Sequence, residues 1–143
     1  MKIPLFVFPS LQAVSVLQRW YDPLEANWED TEFWGSASAL HALIDFEQAS
    51  GDSALLPVIR RVHAVKSTTV VRVLGHGSYD DLQWWVLAYG HAHRLTGEQG
   101  FLQTAEDVFE TVWTQAWDVR MLHPPKRFPD PRTPTRISRP FTP

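Results

Sequence analysis

Apolar residues recur at helical spacing through most of this chain. Leu11, Val14, Leu17 and Tyr21 mark a first helix over 11–21, which Asp22-Pro23 ends. Residues 24–32 read as an acidic loop carrying Trp28. Trp34, Ala37, Leu40, Leu43 and Ile44 share one face of a second helix over 34–49. Ser50-Gly51 closes it in the manner of a left-handed glycine cap. Asp52 or Ser53 is placed to cap a third helix running from Ala54 towards Ala64.

The stretch 66–79 is mixed. Val70, Val71, Val73 and Leu74 favour strand, but Gly75-His76-Gly77-Ser78 breaks any element, so an extended loop is expected. Asp81 to Leu95 predicts a fourth helix, ended by Thr96-Gly97. Glu98 to Gln115 predicts a fifth, with Phe101, Leu102, Ala105, Val108, Phe109 and Val112 inward. The pattern is all-α.

It also repeats. Gly51-Asp52-Ser53-Ala54-Leu55-Leu56 aligns with Gly97-Glu98-Gln99-Gly100-Phe101-Leu102. In each case a helix precedes the segment and another follows it. Helical hairpins repeating at this spacing stack to bury a shared core. Two such units do not close a ring, so an apolar edge and self-association are expected.

Composition divides the chain. Residues 1–118 hold 7 Lys/Arg against 15 Asp/Glu and all seven Trp. Residues 119–143 hold six basic residues, one acid (Asp130) and seven of the eleven Pro. The boundaries drawn are therefore 1–10, a short signal-like or disordered start; 11–118, a folded helical domain; and 119–143, a disordered Pro/Arg-rich tail. An acidic body argues against nucleic acid as a partner. No apolar run approaches the ~18 residues of a membrane span. Cysteine is absent, which removes disulfides and thiolate metal sites.

Tyr79-Asp80-Asp81-Leu82-Gln83-Trp84-Trp85 carries the chemistry. Two carboxylates open an apolar helix, and two indoles follow within a turn. Asp80, just outside helical geometry, and Asp81, just inside, can face one cleft. Paired carboxylates suit glycosidic cleavage, because repulsion between them raises one pKa and leaves one acid beside one anion. The bland alternative is that Asp80 caps the helix and Asp81 answers its dipole. Two adjacent indoles cannot both enter a small core, so Trp84 and Trp85 are candidate sugar platforms. Trp28 and Trp34 flank the acidic loop and are equally candidates for substrate and for core, whereas Trp20, Trp113 and Trp117 read as core. His91 and His93 face different sides of their helix, and no His-Glu-x-x-His pattern occurs, so no metal site is expected.

These residues resemble a known family. Tyr79 through Ala88, then Leu95-Thr96-Gly97, then Phe101-Leu102-x-x-Ala105-Glu106 and Trp117-Asp118 are similar to glycoside hydrolase family 76, the endo-α-1,6-mannanases. Trp20-Tyr21 and Phe33-Trp34-Gly35-Ser36-Ala37-Ser38-Ala39-Leu40 through Ile44-Asp45 resemble the family's opening hairpin.

The resemblance implies an (α/α)6 toroid with a cleft at one end, of which this chain would be an incomplete, N-terminal portion. It implies retaining cleavage of α-1,6-mannan, or transfer in cell-wall assembly, by a secreted or wall-associated protein without a cofactor. It implies Asp80 as nucleophile and Asp81 as general acid/base, with Trp84 and Trp85 supporting the cleft floor. The chain departs from the family at Gly35 and Ser38, where Asn is usual, and after Asp118, where a Cys-Gly-Gly-Gly segment is usual. With so little of the toroid, activity of the chain alone is not expected. The competing readings are another α/α-toroid sugar enzyme and a non-catalytic helical binding or scaffold fragment.

Overall fold

The computed structural model describes residues 7–31, 33–72 and 79–116. Five helices dominate it: α1 (Val7–Arg19), α2 (Phe33–Ser50), α3 (Leu56–Arg72), α4 (Tyr79–Thr96) and α5 (Gln99–Ala116). A two-stranded antiparallel ribbon, β1 (Tyr21–Asp22) and β2 (Asn27–Trp28), links α1 to α2, with Tyr21 opposite Trp28 and Asp22 opposite Asn27. The fold is all-α, built from antiparallel hairpins in the manner of part of an α/α toroid.

The hairpins are α2–α3 and α4–α5, and they are repeats. Gly51 and Gly97 both adopt left-handed φ, +67° and +73°, and each N–H reaches back to the preceding turn: Gly51 N to Glu47 O at 2.9 Å, Gly97 N to His93 O at 2.7 Å. A non-glycine residue would be strained at either position. The side chains one turn before each glycine tie down the loop that follows. The Glu47 carboxylate, fully buried, accepts the Leu55 N–H at the entrance to α3. His93 Nδ1–H donates to the Glu98 carbonyl at the entrance to α5, 3.0 Å away.

The first helices of the two hairpins run parallel, side by side. The Phe33 ring lies 5.4 Å from Trp85, and the His41 ring lies 4.1 Å from His91, so both helices advance in the same direction along the contact. Ala37, Leu40, Leu43 and Ile44 of α2 and Trp85, Ala88 and Tyr89 of α4 belong to one buried cluster. Behind this pair, His63 on α3 joins the two hairpins. Thr104 Oγ1 donates to Gly100 O (3.0 Å), so His63 Nε2–H is the donor to Thr104 Oγ1 at 2.9 Å. The imidazole packs on Phe101 and Tyr89 at 4.5 and 5.2 Å, and its burial holds its pKa below the ordinary value.

Several sequence expectations change. The third helix runs to Arg72, so much of the expected loop is helical. Val70 is fully buried, and that burial outweighs the strand preference of the valines. The Gly75–Ser78 breaker lies outside the described residues. The first helix starts at Val7, with Pro9 in its first turn, where the missing N–H costs nothing. Phe109 and Trp113 point outward as a stacked pair 6.2 Å apart, because the inward stripe of α5 is Phe101, Ala105, Val108 and Val112. Trp20 is also exposed rather than core, and Trp117 lies outside the described residues.

The buried Glu47 generates a prediction. Glu47→Ala leaves the Leu55 amide without its acceptor inside the fold, and urea denaturation should show a loss of about 1–3 kcal/mol. Glu47→Gln keeps an acceptor oxygen and should lose less.

Candidate active site

The first turn of α4 holds both carboxylates. Because Tyr79 is already helical, Asp80 and Asp81 both take helical geometry and leave the axis about 100° apart. This corrects the expectation that Asp80 sits outside the helix. Asp80 is exposed and shares its stripe with Trp84 and Leu87, four and seven residues on. Asp81 is half-buried and shares its stripe with Trp85. Among the described residues neither carboxylate has an ion-pair partner. The four unsatisfied N–H groups at the helix start give this end a partial positive charge that favours anions.

The start of α2 stands beside the second turn of α4. The contact of Phe33 with Trp85 places the first residue of α2 against a residue six positions past the start of α4. The contact of His41 with His91 then fixes which stripes meet. On α2 that stripe is Trp34, Ser38, His41 and Asp45; on α4 it is Asp80, Trp84, Leu87 and His91. Trp34 and Trp84 are 41% and 44% exposed, so the open side of the helix pair presents two accessible indoles and a carboxylate near its start. An indole face stacks on the apolar face of a sugar ring, and a carboxylate beside it can reach the bond between sugars.

The other two tryptophans are elsewhere. Trp85 is fully buried, between Phe33 and Tyr89, and no hydrogen-bond partner meets its Nε1 among the described residues. It supports the carboxylate-bearing turn from behind and offers no face to a ligand. Trp28 is 1% exposed, stacked 5.1 Å from Tyr21, with Nε1 donating to Leu17 O at 2.9 Å. Both were candidates for substrate contact, and both belong to the core. The physical reason is the ribbon: pairing Tyr21 with Trp28 turns Ala26 and the Trp28 ring into the core, while Leu24, Glu25, Glu29 and Asp30 stay exposed.

The polar residues of the α2 start are also accounted for. Ser36 Oγ bonds Asn27 Oδ1 and lies 2.9 Å from Thr31 Oγ1, which donates to Trp28 O at 2.8 Å. At Gly35 a Cβ would meet the Thr31 Cβ at 3.1 Å, so this chain's Gly and Thr31 fit as a pair. Ser38 Oγ donates back to Trp34 O at 3.2 Å.

A cluster that the sequence reading missed lies further along the same stripes: His41, Asp45 and His91, whose ligand atoms all fall within 4.8 Å of one another. The available signal was the four-residue spacing of His41 and Asp45 together with the repeat, which puts His91 opposite Asp45. His93, paired with His91 by sequence, is turned away to the Glu98 carbonyl.

The profile of the family described as Glycosyl hydrolase family 76 matches residues 14–121, most of the chain. No curated protein and no solved structure matches it.

The two classes of tryptophan should separate in denaturation experiments. Trp28→Ala and Trp85→Ala each empty a core position and should cost about 3–5 kcal/mol. Trp34→Ala and Trp84→Ala remove half-exposed rings and should each cost about 1 kcal/mol or less.

Proposed function

The chain belongs to glycosyl hydrolase family 76, and we propose that its target is α-1,6-linked mannan, cleaved with retention at the paired start of α2 and α4. The observation that supports this reading is the α4 stripe that sets exposed Asp80 one turn before half-exposed Trp84, with Trp34 exposed at the start of the neighbouring α2. Trp34 and Trp84 bind successive sugar units, while Trp85 and Phe33 hold the first turn of α4 from beneath. Asp80 is the nucleophile. It is exposed, it faces the open side, and the helix start stabilises its charged form. Asp81 is the general acid/base.

In the first step an Asp80 oxygen forms a bond to the anomeric carbon as the glycosidic bond breaks. Asp81 gives its proton to the departing oxygen. In the second step Asp81 takes a proton from water, whose oxygen displaces Asp80 and restores the original anomeric configuration. Retention needs carboxyl groups about 5–5.5 Å apart, and neighbouring residues reach that separation more readily than the wider one of inverting enzymes. A polymeric wall substrate fits a protein that acts outside the cell. Among the described residues no helix is long and apolar enough to cross a membrane.

Proton NMR of α-1,6-mannan digests, made with these helices carried in a complete toroid, tests the reading. The first product should be the α-anomer. Asp81→Asn should lower kcat by about 10²–10⁴-fold, and Asp80→Asn by at least as much, with both variants folded. Hydrolysis that survives both substitutions would overturn the assignment. Mannan binding without turnover by that completed toroid would instead identify a non-catalytic binding protein.

A further inference from the structure

The His41–Asp45–His91 cluster is chemically unlike the carboxylate turn. His41 Nε2 and His91 Nδ1 are 2.6 Å apart. Asp45 Oδ1 lies 3.5 Å from His91 Nδ1 and 3.7 Å from His41 Nε2. The three atoms come from two helices already locked in parallel, with His41 and Asp45 one turn apart on α2. Rigid elements with i,i+4 spacing position ligands well.

We propose that His41, Asp45 and His91 form a binding site for a divalent first-row transition metal of the Zn²⁺ class, pinning α2 to α4. At metal–ligand distances of about 2.0–2.2 Å and tetrahedral angles, ligand atoms sit about 3.3–3.5 Å apart. Both oxygen–nitrogen separations are already within a few tenths of an ångström of that. Only the nitrogen–nitrogen gap has to widen, by about 0.7 Å on the same geometry, and small side-chain rotations of two half-exposed imidazoles supply this. As it stands, the two ring nitrogens are within hydrogen-bond distance of each other, and a metal ion between them would bring a positive charge beside Asp45.

The chemistry of the set selects the metal. Two imidazoles and one carboxylate suit Zn²⁺, Co²⁺ or Ni²⁺, whereas Mg²⁺ and Ca²⁺ favour sites made wholly of oxygen. The Asp45 side chain is 61% exposed, so water has access to complete the coordination. Metal binding requires neutral imidazole. The cluster lies about 16 Å along α4 from Asp80, eleven residues at ~1.5 Å each. The ion would therefore act as a clamp between helices and not on the reacting bond. This proposal stands independently of the mannan reading.

Calorimetric Zn²⁺ titration of the full chain, paralleled by the visible spectrum of Co²⁺, tests it. One equivalent should bind, and Zn²⁺ should raise the Tm. His91→Ala should weaken binding at least about 100-fold, the upper end of what even outer-sphere losses cost. Asp45→Ala changes an exposed side chain without opening the core, so it remains informative if His91→Ala fails to fold, and it should abolish the Tm rise. His93→Gln should leave affinity unchanged. Absence of saturable Zn²⁺ binding, or binding equally strong in Asp45→Ala, would overturn the proposal.

Discussion

Everything distinctive in this structure depends on the parallel packing of α2 against α4. One buried cluster joins Ala37, Leu40 and Ile44 of α2 with Trp85, Ala88 and Tyr89 of α4. That packing brings the start of α2 beside the second turn of α4, next to the turn that carries Asp80 and Asp81. If the helices were antiparallel, Trp34 would face the end of α4 that carries His93 and Arg94, far from the carboxylates. Parallel neighbours also align their dipoles, so both positive helix ends lie at the same end of the pair as Asp80 and Asp81.

The hairpin repeat is what makes the parallel arrangement affordable to a short chain. Each unit turns at a left-handed glycine and is fastened by the side chain one turn before it, Glu47 in one case and His93 in the other. The fasteners differ chemically but act on the same loop. The second helices, α3 and α5, then back the first pair through His63, Phe101 and Tyr89. Repetition fixes the scaffold, while the sites arise where the repeats differ: Asp80 and Asp81 on α4 stand where α2 has Trp34 and Gly35, and Trp84 stands where α2 has Ser38.

Much of this was legible in the sequence. Helical periodicity located all five described helices, the glycines marked both turns, and the Asp-Asp pair before two indoles pointed to the family. What periodicity could not supply was direction around each helix. A sequence places Trp84 and Trp85 together, but 100° of rotation puts one in solvent and the other in the core. Trp28 was misread because a four-residue turn between two-residue strands carries no period, and its burial follows from cross-strand pairing with Tyr21. The length of α3 was hidden because its valines prefer strands when nothing covers them. The His41–Asp45–His91 cluster was invisible for a different reason: its third member comes from another helix, and only the parallel seam brings it close.

Residue-resolved oxidative footprinting of the tryptophans, with and without an α-1,6-linked mannan oligosaccharide, tests the shared cleft most directly. Trp34 and Trp84 should be protected together by the sugar, while Trp113, exposed on the far stripe of α5, stays as reactive as before. Protection of neither, or of Trp113 in place of Trp34 and Trp84, would contradict a sugar site at the paired helix starts.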